Sequence, residues 1–195
     1  MSRFDDAYAA GTPPWDIGRA QPRFAELLAQ GRIRGRVLDV GCGTGENALA
    51  CARAGLAVLG VDLAALAIER ARAKAAQQGL AAEFAVADAL SLQTLARSFD
   101  TVIDCAVFHV FEDPERARYV ESLRAVVVPG GRYFMMVFSD REPADWGGPR
   151  RVRGDEIEAA FAHGWAVRTL QRDRFVTNMH PDGGEAWFAE LERTA

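Results

Sequence analysis

Apolar and polar positions along this chain alternate in a repeating way. Arg36–Val40 is a short apolar run that ends in glycines and reads as a strand. Glu46–Ala54 then shows helical spacing and is closed by Gly55. Ala57–Val61 reads as a second strand, and Leu66–Gln78 as a second helix closed by Gly79. A third strand over Ala82–Val86, a weak helix near Ser91–Ala96 and a fourth strand over Asp100–Asp104 continue the pattern. Asp113 reads as an N-cap with Pro114 at the first helical position. That helix runs to about Val127 and places Tyr119, Leu123 and Val126 on one face. Pro129-Gly130-Gly131 reads as a turn, and Tyr133–Phe138 as a fifth, wholly apolar strand. Continuous apolar strands alternating with helices predict an α/β fold: a parallel, Rossmann-like sheet covered by helices on both faces.

The two ends of the chain depart from this rhythm. Residues 1–22 read as irregular and rich in turns, yet they carry Phe4, Tyr8, Trp15 and Ile17, which should pack onto something. Pro22 suits the first turn of a helix that presents Phe24, Leu27 and Leu28 and stops at Gly31. Residues 139–154 form a loop too long for an ordinary connection, and loops of this length are usually functional lids or disordered. A short helix over Asp155–His163 follows, then two closing strands, Trp165–Gln171 and Ala186–Leu191. A terminal helix from Ala186 is the alternative to the last strand; alternation at Trp187, Ala189 and Leu191 favours the strand. A chain of 195 residues suits one domain, 1–195, with an arm and helix over 1–30.

Composition narrows the classes. Hydrophobic residues make up 49% and charged residues 26%, the balance of a globular domain. A net charge of −4 gives no general attraction to nucleic acid or anionic membrane, so neither is an expected partner. Local basic clusters exist, notably Arg150, Arg151 and Arg153, and such a run is usually a solvated loop. No apolar run approaches the roughly 18 residues needed to span a bilayer. Cys42, Cys51 and Cys105 show neither metal spacing nor a paired framework, so no metal is expected. Their apolar contexts predict buried thiols in a reducing cytoplasm.

The chemistry concentrates after the first strand. Val37-Leu38-Asp39-Val40 runs into Gly41-Cys42-Gly43-Thr44-Gly45, and glycines there let a ligand approach the backbone at the sheet's carboxyl edge. A dinucleotide loop wants a third glycine where this chain has Glu46, and the carboxylates of Asp39 and Glu46 would repel a pyrophosphate. That disfavours an NAD-dependent reductase. S-adenosylmethionine, which has no phosphate but carries a sulfonium and an ammonium, suits acidic flanks. Asp62 ends the second strand, where an acid can accept from both ribose hydroxyls. Asp88, after the third strand, stands where a carboxylate can accept from an adenine amine.

Together these residues resemble the class I S-adenosylmethionine-dependent methyltransferases over Arg36 to Phe138. Pro13-Pro14-Trp15-Asp16-Ile17-Gly18, with Gln21-Pro22, is similar to the thiopurine and tellurite-resistance methyltransferase group and to bacterial methyltransferases of heterocyclic toxins such as hydroxyquinolones. Halide and thiol methyltransferases share a similar opening. The resemblance implies a seven-stranded sheet whose last strand is antiparallel, and an arm folded over the cofactor with Trp15 beside it. It implies cofactor contacts from Trp15, Asp39, Gly41, Gly43, Gly45, Asp62, Leu63, Asp88, Ala89 and Cys105. Ala64 departs from the pattern, since the superfamily often has a capping serine there.

Asp104-Cys105-Ala106-Val107-Phe108-His109-Val110-Phe111 falls where the superfamily places the acceptor. It lacks the Asp/Asn-Pro-Pro-aromatic motif of nucleobase amine methyltransferases. His109 reads as a general base, as a donor that orients the acceptor, or as a packed histidine bonded to backbone. Phe108 and Phe111 read as pocket or core, and Tyr8, Phe138 and Trp146 as further acceptor-side candidates. His163 and His180 read as surface residues. The expected activity is methyl transfer to oxygen, nitrogen or sulfur of a small, aromatic or heterocyclic acceptor, by a monomer or weak homodimer. Halide or thiol methylation, RNA or protein methylation, and a non-catalytic cofactor-binding module are the alternatives.

Overall fold

The computed structural model describes residues 3–143 and 149–195. Five strands run parallel: β1 (Val37–Val40), β2 (Val58–Asp62), β3 (Ala82–Val86), β4 (Phe99–Cys105) and β5 (Val127–Phe138). β6 (Trp165–Phe175) and β7 (Gly184–Arg193) complete a seven-stranded sheet in the order β3-β2-β1-β4-β5-β7-β6. β7 lies between β5 and β6 and is antiparallel to both. The last segment is therefore a strand, and the terminal-helix alternative falls.

Side chains of successive strand residues point to opposite faces, so each face builds its own core. On one face Leu38, Val102 and Tyr133 pack with Leu92, Tyr119, Leu123 and Phe161, from α5 (Asp113–Val126) and its neighbours. On the other, Val37, Ile103 and Phe134 pack with Phe24, Leu49 and Ile68. Those three come from α2 (Pro22–Ala29), α3 (Glu46–Arg53) and α4 (Ala65–Gln78). Each fully buried aliphatic or aromatic side chain contributes about 1.5–3 kcal/mol.

Several elements differ from the sequence reading. Residues 3–9 are not irregular: α1 (Arg3–Ala9) sets Phe4 and Tyr8 one turn apart, against Ala64, Leu66 and Ala67. A helix this short has no stability of its own, so its signal lies in the packing partner and not in the segment. The N-cap of α5 is Glu112, whose amide donates to the Glu115 carboxylate at 3.1 Å; Asp113 is the first helical residue. The Ser91–Ala96 segment is 3₁₀, spanning Ala89–Leu95 with a kink at Ser91. Pro129-Gly130-Gly131 is a bulge inside β5, because Val127 already pairs with Phe99 before the register resumes at Arg132. α6 (Gly154–Ala160) stops short of His163. The 139–154 loop is pinned at its base by a bridge between Ser139 and Val152.

Candidate active site

The carboxyl ends of the parallel strands face one cavity of about 480 Å³, a size suited to small-molecule sites. Its floor is the turn after β1. Gly41 and Gly43 have φ of +62° and +53°, and a Cβ on them would lie 2.2 Å from Val107 and 2.6 Å from the Tyr8 hydroxyl. Both line the cavity, so the turn needs glycine for its left-handed backbone and for close approach. Gly45 does not line it. It opens α3 at φ +89°, with the Phe84 ring where a Cβ would go.

Asp62 lines the cavity at the end of β2, accepting from the Gly43 amide at 2.9 Å and the Ala64 amide at 2.8 Å. Burial raises its pKa. Asp39 does not reach the surface. It is buried beneath the turn, accepts from the Ala48 amide at 3.0 Å, and leaves Oδ1 without a partner among the described residues. Leu63, Ala87, Ala89 and Cys105 form apolar walls. Asp88 is not among the lining residues: its carboxylate folds back onto the Leu90 amide at 2.9 Å and caps the 3₁₀ turn. Glu46 lines the cavity, but Lys74 Nζ sits 2.5 Å from it, so the repulsion argued from its charge is largely offset. A cradle that two Cβ atoms would fill, an acid at a strand end and apolar walls together fit S-adenosylmethionine.

The arm forms the roof. Trp15 Nε1 donates to the Tyr8 hydroxyl at 3.0 Å, and Phe4, Tyr8 and Trp15 meet edge to face. Thr44 Oγ1 donates to Asp16 at 2.8 Å, tying arm to floor. Gln21 pairs with both backbone groups of Val176, donating to its carbonyl at 2.8 Å and accepting from its amide at 3.1 Å. Asn178 donates to the Asp16 carbonyl at 2.6 Å. Asp16, Arg19, Gln21, Thr44, Phe175, Val176 and Thr177 all line the cavity and were not singled out from sequence. Asp16, Gln21 and Thr44 lay inside motifs that were; nothing local marks Phe175–Thr177.

The far wall follows β4. Asp104 is buried and accepts from the Val107 and Phe108 amides and from the hydroxyls of Tyr119 (2.8 Å) and Tyr133 (2.7 Å). Burial pushes its pKa up to about 6, against those hydrogen bonds. This network folds the chain sharply, with Ala106 held at φ +73°, a strain of about 1–3 kcal/mol for a residue with a Cβ. The turn delivers His109 to the cavity wall. Its Nδ1 accepts from the Phe138 amide at 3.0 Å, and its ring stacks on Phe138 at 5.2 Å. Burial, then Arg116 and Arg151, push its pKa down to about 3. With Nδ1 accepting and the pKa lowered, the imidazole is neutral and carries its proton on Nε2, which arranges His109 as a donor.

Phe111 and Phe138 line the cavity, whereas Phe108 turns away into the core, between Tyr119 and Phe161 and under Arg116. Trp146 lies outside the described residues. The basic cluster is spoken for: Arg150 pairs with Asp113 and Glu156, Arg153 with Asp155, and Arg151 donates to the Pro149 carbonyl. Among the described residues no group of three His, Cys, Asp or Glu could hold a metal ion, and no helix is long and apolar enough to cross a membrane.

Comparison with known proteins agrees with this geometry. Residues 37–131 match a family model described as a methyltransferase domain. The chain is 36% identical to a 2-heptyl-1-hydroxyquinolin-4(1H)-one methyltransferase of Mycobacteroides abscessus, over 93% of this chain and 82% of the relative. It is 30% identical to a probable thiol methyltransferase of Arabidopsis thaliana, over 80% and 69% respectively. A structure solved for the conversion of a disulfide bond into a thioacetal group during echinomycin biosynthesis superposes with a TM-score of 0.87. That protein is 36% identical, over 98% of this chain and 90% of its own.

Proposed function

The chain belongs to the methyltransferase family and uses S-adenosylmethionine, and from that premise we propose that it methylates a small, flat, largely apolar acceptor on a ring-borne oxygen, nitrogen or sulfur atom. The observation that carries this is the far wall of the cavity. There the His109 Nε2–H is set among Val110, Phe111, Phe138 and Phe175. One fixed donor among aromatic rings suits a conjugated heteroatom on a planar molecule. An aromatic hydroxyl is the favoured acceptor group. The Mycobacteroides relative, named for a hydroxyquinolone, supports it; the Arabidopsis relative supports a thiol as the second reading.

When bound, S-adenosylmethionine supplies a methyl group already activated by its sulfonium. The chain's task is then to align acceptor and donor and to keep water out. Asp62 would hold the ribose, Ala87 and Ala89 the adenine, and Gly41, Gly43 and Cys105 the methionine portion, with Tyr8 and Trp15 above. In this reading residues 1–195 are one domain, 1–30 covers the cofactor and 139–154 flanks the acceptor. RNA or protein as acceptor loses its support, because Arg150 and Arg153 are already paired with acids. The three free cysteines accord with a cytoplasmic enzyme.

A panel of phenols, hydroxyquinolones, thiols and heterocyclic amines, incubated with enzyme and S-adenosylmethionine, tests the proposal by mass spectrometry. A mass gain of one methyl group on an aromatic hydroxyl is expected. No methylated product from any member would sink the acceptor class.

A further inference from the structure

Few side chains on the cavity wall are able to take a proton from an acceptor. Asp62 is engaged by two backbone amides, Asp16 by Thr44 and Glu46 by Lys74. The Tyr8 phenol is pushed up by burial and accepts from Trp15, so it stays protonated. The Cys42 and Cys105 thiols are pushed up by burial and then by the Asp39 carboxylate. His109 faces the acceptor region, but its Nδ1 lone pair is occupied by the Phe138 amide. The charges that reach its ring are Arg116 from α5 and Arg151 from the segment after β5; β5 and β6 present the Phe138 and Phe175 rings. Both charges are positive, so they oppose an imidazolium and favour an anion beside Nε2.

A second observation points the same way. Arg19, on the arm between Asp16 and Gln21, lines the cavity. No hydrogen bond or ion pair engages its guanidinium among the described residues. Lys74, behind the wall, is spent on Thr44 and Glu46.

Resting on the aromatic-acceptor reading above, we propose that the acceptor is taken up already ionised. It is an aromatic or heteroaromatic hydroxyl acidic enough to lose its proton to solvent near neutral pH, bound as the oxyanion by the His109 Nε2–H and drawn in by Arg19. An oxygen that enters as the anion forms its C–O bond as the methyl–sulfur bond breaks, with that electron pair kept by sulfur. One negative and one positive charge cancel, and no proton is left for the protein to remove. Aliphatic alcohols, which stay protonated, are excluded as acceptors.

The test is a spectroscopic titration of two probes bound to the complex with S-adenosylhomocysteine: 4-nitrophenol, whose anion is coloured, and 2-heptyl-1-hydroxyquinolin-4(1H)-one. Both should bind as anions, with Kd rising about tenfold for each pH unit below the probe's own pKa. His109→Gln, which keeps a donor, should retain most of the preference for the anion, while His109→Ala and Arg19→Ala should each lose it several-fold. Across substituted phenols, the rise of kcat/KM with pH should follow each phenol's own pKa. Binding of the neutral form, or a Kd flat with pH, would overturn the proposal. So would a kcat/KM inflection that stays fixed across phenols and vanishes in His109→Gln, which would make His109 a base. If neither probe binds at any pH, the aromatic-acceptor reading itself fails, a result distinct from binding without pH dependence.

Discussion

The cofactor end and the acceptor end of the cavity are assembled in different ways. As proposed, the cofactor end draws mainly on three strand ends close in sequence, between Gly41 and Ala89, joined by Cys105 and roofed by Tyr8 and Trp15. Asp62 is held in place by the Gly43 and Ala64 amides. The far end gathers Ile17, Arg19, Gln21, His109, Phe138 and Phe175 to Thr177, which no local motif joins. They meet because β7 lies between β5 and β6. Ala186 is opposite both Phe138 and Asp173, so β5 and β6 end at the same edge and the Phe138 and Phe175 rings come within 4.9 Å. A binding function held by short turns is portable among relatives; one held by strand register and a strap can change acceptor while leaving the cofactor in place.

Three substitutions probe that division. The largest effect is expected where sequence neighbours fall on opposite sides of it. Phe108 is adjacent to His109 but packs in the core, so Phe108→Ala should cost about 3–5 kcal/mol in chemical denaturation. A loss below about 1 kcal/mol would mean that Phe108 belongs to the acceptor wall after all. If Asp62 holds the ribose as proposed, Asp62→Ala removes two charge-assisted bonds to ribose hydroxyls. At about 1.5–3 kcal/mol each, it should weaken S-adenosylhomocysteine binding by roughly a hundredfold or more in calorimetry. An unchanged affinity would detach Asp62 from the cofactor end. Gln21→Ala unties the arm from Val176 and should raise acceptor KM a few-fold, on the order of 1 kcal/mol, with a smaller effect on cofactor affinity. An equal loss for both ligands would erase the distinction, because the strap would then serve both ends alike.

The cofactor end was the more legible half because its signals are local. The Gly41–Gly43 turn and Asp62 announce themselves by residue type and by position after an apolar strand. Asp88 shows the limit of that reasoning. It stands at the expected strand end, yet Asp is also a good cap, and here the Leu90 amide claims its side chain. Glu46 shows another limit, since its charge was visible but Lys74, one helix away, was not yet beside it. Gln21 lay in a recognisable motif, but its partner Val176 is 155 residues distant.

What the sequence determined alone was the succession of strands and helices from Pro22 onward, the glycine turn and the chemistry of the ligand that turn admits. Hydrophobic period, backbone freedom and side-chain charge are properties of short segments, and they survive being read one segment at a time. Only the tertiary structure decided which residues line the far wall of the cavity and in what state. The proton on His109 is the clearest case. Imidazole alone titrates near neutrality, but an amide from a strand 29 residues away occupies Nδ1, and the packed rings around it withhold the water a charge would need.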